Sequence, residues 1–269
     1  TSNVLSNTLS TLSGTVKFLN SNLNATTANY IFNSLIVTNP EAASGGGDGN
    51  SIEEIRQNSS ANFASQLRNV TPDDYLVRTL SMPSKYGVIS KAHVEPSKAK
   101  NVSEDNAILD LYVLTYNIDK KLVNASLALK QNLITYLSQY RMTNDAVNIR
   151  DAFVVNIGVN FDIIVLPNFN NNDVITRCIT ALTSYFNIDR WQINQPIMLR
   201  ELNILLDKID GVQIVKSIDI TNFVGTNLGY SNWAYDTTGA TKNNVVSPSL
   251  DPMIFEVKYP NLDIKGRAL

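Results

Sequence analysis

The spacing of hydrophobic residues changes several times along the chain and so predicts a series of short helices and strands. Near the N-terminus, apolar residues recur every three or four positions, which favours a helix packed on a partner surface. They are Val4, Leu5, Leu9, Leu12, Val16, Leu19 and Leu23. The many Thr and Asn residues between them lower the helix propensity. Tyr30–Val37 then has the composition of a strand, which Asn39-Pro40 ends.

Two helix starts carry capping signals. Ser51 is followed three residues later by Glu54, the spacing of a capping box, so a helix is expected to begin near Ile52. Thr71-Pro72 predicts a second start, with Thr as N-cap and Pro in the first turn. Two acids follow directly, where the helix dipole favours them. This helix is expected to stop before Pro83.

The rest of the pattern predicts alternating strands and helices. The strands are Val88–Glu95, Ile108–Tyr116, Phe153–Leu166, Val212–Ile220 and Met253–Tyr259. The helices are Val123–Arg141, Asp173–Phe186 with Asp173 as cap, and Met198–Ile209. In Phe153–Leu166 the apolar residues occupy every odd position, so one face of that strand must be core. Residues 225–249 are rich in Gly, Asn, Ser and Thr and are expected to form loops.

These elements predict an α+β fold of several small subdomains. The strand–helix–strand segments 108–166 and 153–220 share one strand, which suggests a mixed sheet with helices packed on one face. The predicted organisation is an N-terminal helix and strand, a possible interface segment (1–39), a helical and strand subdomain (40–104), an α+β sandwich (105–225) and a C-terminal strand extension (226–269).

Charge and amide content narrow the functional classes. The 269 residues include 22 Lys and Arg against 24 Asp and Glu, a formal net charge of −2. Phosphate-driven binding needs clustered basic residues, so a broad nucleic-acid-binding surface is excluded. Charged residues make up only 17% of the chain, whereas Asn alone accounts for 34 residues. Such a surface suits interfaces made by hydrogen bonding and packing.

Candidate reactive groups are few, and each has a structural explanation. A single Cys and a single His exclude an intramolecular disulfide and a Cys/His zinc site. His93 is expected on a solvated strand face, so a hydrolase working through it is a minor alternative; Cys178 belongs to an apolar helical stripe. Gly45–Gly49 lacks the Lys-Ser/Thr of a phosphate-binding loop and is interpreted as a connector. We therefore predict no enzyme activity, no catalytic or metal residues and no cofactor.

Apolar runs are far shorter than the roughly 20 residues that span a bilayer, and no signal pattern precedes them. We therefore expect a soluble protein that is not exported through a cleaved signal. Its start at Thr1 suggests a piece of a longer chain. Four aromatic residues outside the periodic segments either pin loops onto the core or anchor a protein interface. They are Trp191, Tyr230, Trp233 and Tyr235.

Two stretches, Gly45–Arg56 and Arg68–Tyr75, resemble the Gly-Gly-x-Asp…Glu-x-Ile-Arg and Arg-x-Val-Thr-x-x-Asp-Tyr signatures of the J-like baseplate family. These are wedge proteins of contractile phage tails and related injection machines. The order of elements from 122 to 212 is also similar, so the resemblance covers about residues 40–225. Asn richness and the segment 226–269 make the chain look most like the C-terminal part of the large wedge proteins of T-even-type phages. The structural motif residues are Ser51, Glu54, Arg68, Thr71, Asp74 and Tyr75.

The resemblance implies a structural role without catalysis. Copies would join wedges into a ring around the hub of a virion tail baseplate, assembled in the host cytoplasm, and would rearrange when the sheath contracts. The implied partners are the chain itself, through homodimer or ring contacts, and other wedge proteins, with no nucleic acid and no membrane insertion. In the motif, Ser51 and Thr71 serve as caps, and Arg68 is available to a carboxylate or carbonyl. The alternative is a receptor- or glycan-binding tail module acting through the Trp191 or Trp233 loops.

Overall fold

The computed structural model describes residues 24–39, 68–97, 108–142 and 145–269, together with six single residues: Thr8, Ser10, Ala42, Ile52, Arg56 and Ser59. The fold is α+β, as predicted. The helices are α1 (Ala25–Ser34), α2 (Pro72–Leu80), α3 (Leu127–Ser138), α4 (Asn171–Tyr185), α5 (Leu199–Asp207), α6 (Thr237–Ala240) and α7 (Pro260–Asp263).

The longer strands are β1 (Lys91–Pro96), β2 (Ile108–Tyr116), β4 (Ala146–Asp151), β5 (Phe153–Val165), β7 (Val212–Asn222), β10 (Met253–Glu256) and β11 (Ile264–Ala268). The short ones are β3 (Leu122–Asn124), β6 (Ile197–Met198), β8 (Thr241–Lys242) and β9 (Val245–Val246), of which β6, β8 and β9 form a small sheet of their own. Single 3₁₀ turns lie at Ser84–Tyr86 and Thr226–Leu228.

The first sheet is built around β2. This strand pairs antiparallel with β1 and β3 and parallel with β4. Helix α2 packs against β1, and α3 packs against α2 and β4. The core between them contains Tyr75, Leu111, Val113, Leu129, Leu133 and Leu137.

The second sheet is built around β5. It pairs in parallel with β10 and β11 and antiparallel with β7. The predicted row of alternate apolar residues is confirmed, because its members from Val155 to Ile163 are buried. Helices α4 and α5 cover this face with Val174, Cys178, Leu182, Leu202 and Leu206.

The other face of the second sheet is open over the later half of β5. Asn160, Asp162 and Ile164 point to this face and are only half-buried. The exposed side chains of Asp219, Lys265 and Arg267 lie beside them on β7 and β11. We call this surface the open face.

The strand predicted at Tyr30–Val37 is wrong. Residues up to Ser34 belong to helix α1, which begins because the side chain of Asn24 caps it by accepting the N–H of Thr27 at 2.7 Å. The apolar residues of this segment occur in consecutive runs and not at every second position. The segment therefore lacks the strict alternation that is typical of a strand, and a helix can form. The predicted helix over Val4–Leu23 lies outside the described residues apart from Thr8 and Ser10.

The predicted helix start at Val123 is also wrong, since Leu122–Asn124 is strand β3 and the helix begins at Leu127. The cause is a tight turn in which Asn117 Oδ1 accepts the N–H groups of Asp119 and Lys121. The turn folds the chain back onto β2. The prediction that segments 108–166 and 153–220 share one sheet is also wrong. β4 is the parallel partner of β2 in the first sheet, and β5 begins the second sheet.

The remaining differences concern element ends. Helix α4 is capped by Asn170, whose side chain accepts the N–H of Asn172 at 2.9 Å, and Asp173 lies in the first turn instead of capping it. Of the helix predicted near Ile52, the described residues Ile52, Arg56 and Ser59 are helical. The predicted loop 225–249 contains one 3₁₀ turn, helix α6 and two short strands.

Candidate functional site

The motif around Thr71 forms a complete capping box. Thr71 Oγ1 accepts the N–H of Asp74 at 3.2 Å, while Asp74 Oδ2 accepts the N–H groups of Thr71 and Val70 at 2.8 and 3.0 Å. Burial acts to raise the pKa of Asp74, but these hydrogen bonds outweigh it and lower the pKa below its usual value. Ser51 and Glu54 lie outside the described residues, and Arg68 is exposed.

Tyr75 connects this motif to Asp145, directly before β4. Its ring is 1% exposed, and its hydroxyl donates to Asp145 Oδ2 at 2.7 Å. Burial, and then the Asp145 carboxylate, raise the pKa of Tyr75 well above its usual value. Asn69 donates its N–H to the carbonyl of Tyr140 at 2.8 Å. These contacts tie the start of α2 to the segment between α3 and β4.

Trp191, one of the four predicted interface aromatics, is a core residue. Its side chain is 3% exposed and packs against Tyr185 and Phe186 at centroid distances of 5.7 and 5.4 Å. Of the two interpretations given for these aromatic residues, this burial fits the one in which the residue pins its loop to the core. Trp191 is therefore not a surface anchor in this structure.

The other three aromatics lie in the C-terminal part of the chain. Trp233 is 51% exposed and stacks edge-on against Phe153 at 4.4 Å. Tyr235 pins its loop, because its hydroxyl donates to the carbonyl of Ser247 and its ring packs on Phe255. Tyr230 lines a groove.

This aromatic groove is about 480 Å³ in volume and is open to solvent. It is lined by Phe223, Leu228, Tyr230, Tyr259, Leu262, Asp263 and Lys265. Two of its leucines are largely exposed, Leu228 by 70% and Leu262 by 65%. Fixed rings beside exposed apolar side chains are a common composition for a protein-binding surface.

Hydrogen bonds hold the floor of the groove in place. Phe223 stacks on Tyr230 at 5.3 Å, and Tyr230 meets Tyr259 edge-on at 5.6 Å. The buried carboxylate of Asp263 accepts the hydroxyl of Tyr230 at 2.5 Å and the backbone N–H of Tyr259 at 2.7 Å. Burial, followed by the Asp263 carboxylate, raises the pKa of Tyr230 to about 12. The floor is therefore preorganised.

Two glycines make the close approaches in the groove possible. At Gly158, an added Cβ would lie 2.4 Å from the ring of Phe223, so the ring lies directly on the strand. Gly229 has a φ of +81°, and a Cβ there would meet the hydroxyl of Tyr259. Phe223, Leu228, Tyr259 and the other lining residues come from separate segments, so sequence spacing gave no signal for them.

A polar seam joins the first sheet to the Trp191 loop, residues 187–195. Lys91 Nζ donates to the carbonyl of Asp189 at 3.0 Å, and the hydroxyl of Tyr116 donates to Asp189 Oδ1 at 3.1 Å. Nearby, Glu95 Oε1 lies 3.1 Å from His93 Nε2 and accepts from Asn194 Nδ2 at 3.3 Å. His93 thus shares its strand face with Glu95, as predicted, and belongs to a structural contact.

The buried amine of Lys91 predicts a rise in stability at alkaline pH. Burial lowers the pKa of Lys91 to about 8, against the opposing charge of Asp189. Above pH 8 the folded chain loses this proton while the unfolded chain keeps it up to about 10.5. Lys91 should therefore contribute an increase with pH to the free energy of unfolding, of at most about 1.4 kcal/mol per pH unit. The buried Cys178 thiol offsets this increase in part above about pH 9, because it ionises earlier in the unfolded chain.

Urea unfolding between about pH 7 and about pH 9.5, below the range where unfolded tyrosines ionise, would measure this increase. Lys91→Met should remove this contribution to the slope. Lys208→Met, at an exposed lysine, is the matched control and should keep it. Equal slopes in the wild type and Lys91→Met would contradict the prediction.

Helix α1 presents apolar side chains to solvent. None of its residues is buried, and Tyr30 is 76% and Phe32 51% exposed. Leu35 and Ile36, directly after it, are 43% and 87% exposed. No charged residue occurs between Lys17 and Glu41. A helix of 10 residues is too short to be stable alone in water, so it needs a surface to pack on.

The single cysteine, Cys178, is not in a reactive environment. Cys178 is fully buried, and burial raises the pKa of its thiol to about 11, which disfavours the reactive thiolate. Within the described ranges, no group of three or more His, Cys, Asp or Glu side chains could hold a metal ion. In that same part of the chain, no helix is long and apolar enough to cross a membrane.

Comparison with known proteins gives a likeness in fold. No family model and no curated protein matches the sequence. The fold is similar to a chain of the anti-feeding prophage (AFP) baseplate, in its 6-fold symmetrised cryo-EM structure. The TM-score is 0.51 at 12% identity, over 82% of this chain and 45% of that chain. This chain therefore spans less than half of its neighbour's length, and at this identity the likeness shows the fold.

Proposed function

We propose that the protein is a structural component of a contractile-tail baseplate, without enzymatic activity. In this role it joins wedges into a ring around the hub and takes part in the rearrangement on sheath contraction. Its partners are further copies of itself and other wedge proteins, in a virion tail baseplate assembled in the host cytoplasm. The closer assignment, to the C-terminal part of the large wedge proteins of T-even-type phages, is part of the proposal.

The observation that carries the proposal is the likeness in fold to a chain of the AFP baseplate. It is independent of the motif Arg68–Tyr75, which resembles the same class of protein by sequence. The motif residues Thr71, Asp74 and Tyr75 hold helix α2 in place, as structural residues of an assembly protein would. Ser51, Glu54 and Arg68 keep their proposed structural role on the sequence resemblance alone.

Helix α1 supports an assembly role. Its apolar side chains face solvent, and its flanks carry no charge that a partner would have to desolvate. A ring of copies needs contacts that close by symmetry, and an apolar helix is a suitable element for one of them. We propose that segment 1–39 is an interface segment, and that Trp233, which is half exposed, contributes to a second contact.

The proposal predicts association. Light scattering of the purified chain across a concentration series, alone and mixed with the wedge proteins of the same virion, should show a dimer or larger species, or a stable mixed complex. Phe32→Ser/Ile36→Ser should weaken this association about tenfold or more, because both side chains would be buried at the interface.

The matched control is Leu127→Ser, at a position 73% exposed on α3, which should leave the association unchanged. A strict monomer that binds none of the wedge proteins would contradict the proposed function. Equal association of the double variant and the wild type would remove α1 from the interface but leave the role itself intact.

The second candidate is a receptor- or glycan-binding tail module. Two loops were predicted to bind the ligand of such a module. The Trp191 loop is no longer a candidate because Trp191 is buried, whereas the Trp233 loop remains one because Trp233 is 51% exposed. A glycan array separates the two functions, because saturable binding to a sugar that Trp233→Ala abolishes would favour this module.

A further inference from the structure

Strand β11 leaves one of its edges unpaired. It pairs with β5, and its other edge has no strand partner among the described residues. Leu269 donates its N–H to the carbonyl of Ile163, so its backbone groups point toward β5. Because these directions alternate along a strand, the N–H groups of Gly266 and Ala268 point away from β5. A further strand could pair there.

The aromatic groove lies at the beginning of this free edge and on the same side of the sheet. Lys265, the second residue of β11, lines the groove and belongs to the open face. Phe223, at the other end of the groove, rests on Gly158 of the same face. A strand added to β11 would therefore direct every second side chain toward the groove and the open face.

An uncompensated positive charge, that of Lys265, lies where the free edge meets the groove. Lys265 has no ion-pair partner in the part of the chain that the structure describes, and Lys121 Nζ lies 5.3 Å from the ring centre of Tyr259. Both oxygens of Asp263 already accept hydrogen bonds, and Asp162 and Arg267 pair with each other at 2.8 Å, so their charges cancel. The exposed Asp219 lies on β7, on the far side of β5 from the free edge. The complementary partner is acidic.

A second copy of β11 does not meet this requirement. Antiparallel pairing centred on Lys265, Gly266 or Arg267 places Lys opposite Lys, Lys opposite Arg, or Arg opposite Arg. Like charges directly opposite each other destabilise a pair of strands. The pattern on β11 therefore disfavours self-pairing and favours a strand from a different protein.

We propose that the free edge of β11 and the aromatic groove bind an extended segment of another baseplate protein. On one face this segment carries a bulky apolar side chain, which enters the groove beside Leu228 and Leu262, and, at two-residue spacing, carboxylates, of which the first lies beside Lys265. The inference rests on the proposed assembly function and specifies the class of partner.

Model peptides test this chemistry. The probes are fluorescein-labelled Leu-Thr-Glu-Thr-Glu-Thr and the reversed sequence Thr-Glu-Thr-Glu-Thr-Leu, each with a control that has Lys in place of Glu. At least one Glu peptide should bind about tenfold or more tightly than its Lys control in fluorescence anisotropy. On binding, the amide hydrogens of Gly266 and Ala268 should exchange more slowly, because they donate to the added strand.

Variants separate the edge from the groove. Lys265→Glu and Leu262→Asp should each weaken binding of the Glu peptide about tenfold. Lys208→Glu, at an exposed lysine on α5's C-terminal side, should leave it unchanged. No binding of either Glu peptide, or equal binding of Glu and Lys peptides, would overturn the proposal, as would binding without protection of Gly266 and Ala268.

This outcome is distinguishable from failure of the assembly function. A chain that still associates with itself or with wedge proteins in light scattering, but binds no acidic strand, keeps its assembly role and loses the β11 site. A chain that binds the Glu peptide but remains a monomer with every wedge protein would retain the site and lose the role.

Discussion

Phe161→Ala is expected to lower the free energy of unfolding by about 3–5 kcal/mol. The ring is 2% exposed and lies in the centre of the second sheet, on the face covered by the helices. It occupies the space over Gly266 of the neighbouring strand, where an added Cβ would lie 2.3 Å from Phe161 Cζ. Pairing with β5 holds β11 in register, so the backbone cannot collapse into the cavity that the shorter side chain leaves.

Urea unfolding with a shared m-value measures this loss. Ile214→Ala is the matched control, because Ile214 lies on β7 of the same sheet but is 53% exposed, and it should cost less than about 1 kcal/mol. A loss for Phe161→Ala no larger than for Ile214→Ala would show that the ring does not support the strand pair. The same variant should weaken binding at β11, since the strand depends on this ring.

The sequence pattern located the elements whose signals are local. Strand β2 matches its predicted bounds, and the alternation in β5 correctly identified its buried face. Thr71 as N-cap, followed by Pro72 in the first turn, correctly placed the start of α2. In each case neighbouring residues alone determine the structure, through side-chain periodicity or a side chain that bonds to its own backbone.

Elements that depend on distant contacts were missed. β3 forms because the turn at Asn117 returns the chain to β2, and β11, with its polar residues and Gly266, pairs with β5 where the ring of Phe161 covers Gly266. The strand β4 did carry a usable signal, since Val147 and Ile149 alternate with polar residues. The segment of α1 was predicted as a strand because its apolar side chains give it the composition of a strand. The sequence does not show the partner surface on which these exposed side chains would pack.

The candidate site could be predicted least of all. Tyr230 was identified from its position outside the periodic segments, but Trp191 was identified by the same argument and is buried. The groove exists because Phe223, from the end of β7, and Asp263, from α7, meet at Gly158 of β5. These residues are roughly 40 or more positions apart in the sequence, so no local pattern could have predicted their contact.

Glu256→Ala is expected to cost about 2–6 kcal/mol, although it removes a buried carboxyl group. The residue is 2% exposed, and its oxygens accept the backbone N–H of Leu122 at 3.0 Å and the side-chain amide of Asn156 at 2.8 Å. Without these two oxygens, the N–H of Leu122 and the amide group of Asn156 remain buried donors without an acceptor. Each such donor costs about 1–3 kcal/mol of stability. Asn156 cannot turn its amide to compensate, because its oxygen already accepts the N–H of Ser231 at 2.7 Å.

Glu256→Gln tests whether the charge or the number of acceptors matters. Burial raises the pKa of Glu256, against the hydrogen bonds from Leu122 and Asn156. The ionised form is therefore disfavoured in the folded chain, and this carboxyl's contribution to stability increases as the pH falls through its folded pKa toward 4.5. Gln removes that pH dependence, but its NH2 group replaces one of the two oxygens, so one of the two donors loses its acceptor.

Glu256→Gln should therefore still be less stable than the wild type near neutral pH, by about 1–3 kcal/mol. Glu201→Ala is the matched control: its carboxylate accepts one hydrogen bond, from Tyr185 at 2.9 Å, but is exposed, so its loss should cost less than about 1 kcal/mol. If Glu256→Gln were as stable as the wild type, the two-acceptor interpretation would be wrong. The buried carboxylate ties β3 and the groove loop through Ser231 to β10, so its removal should also loosen the aromatic groove.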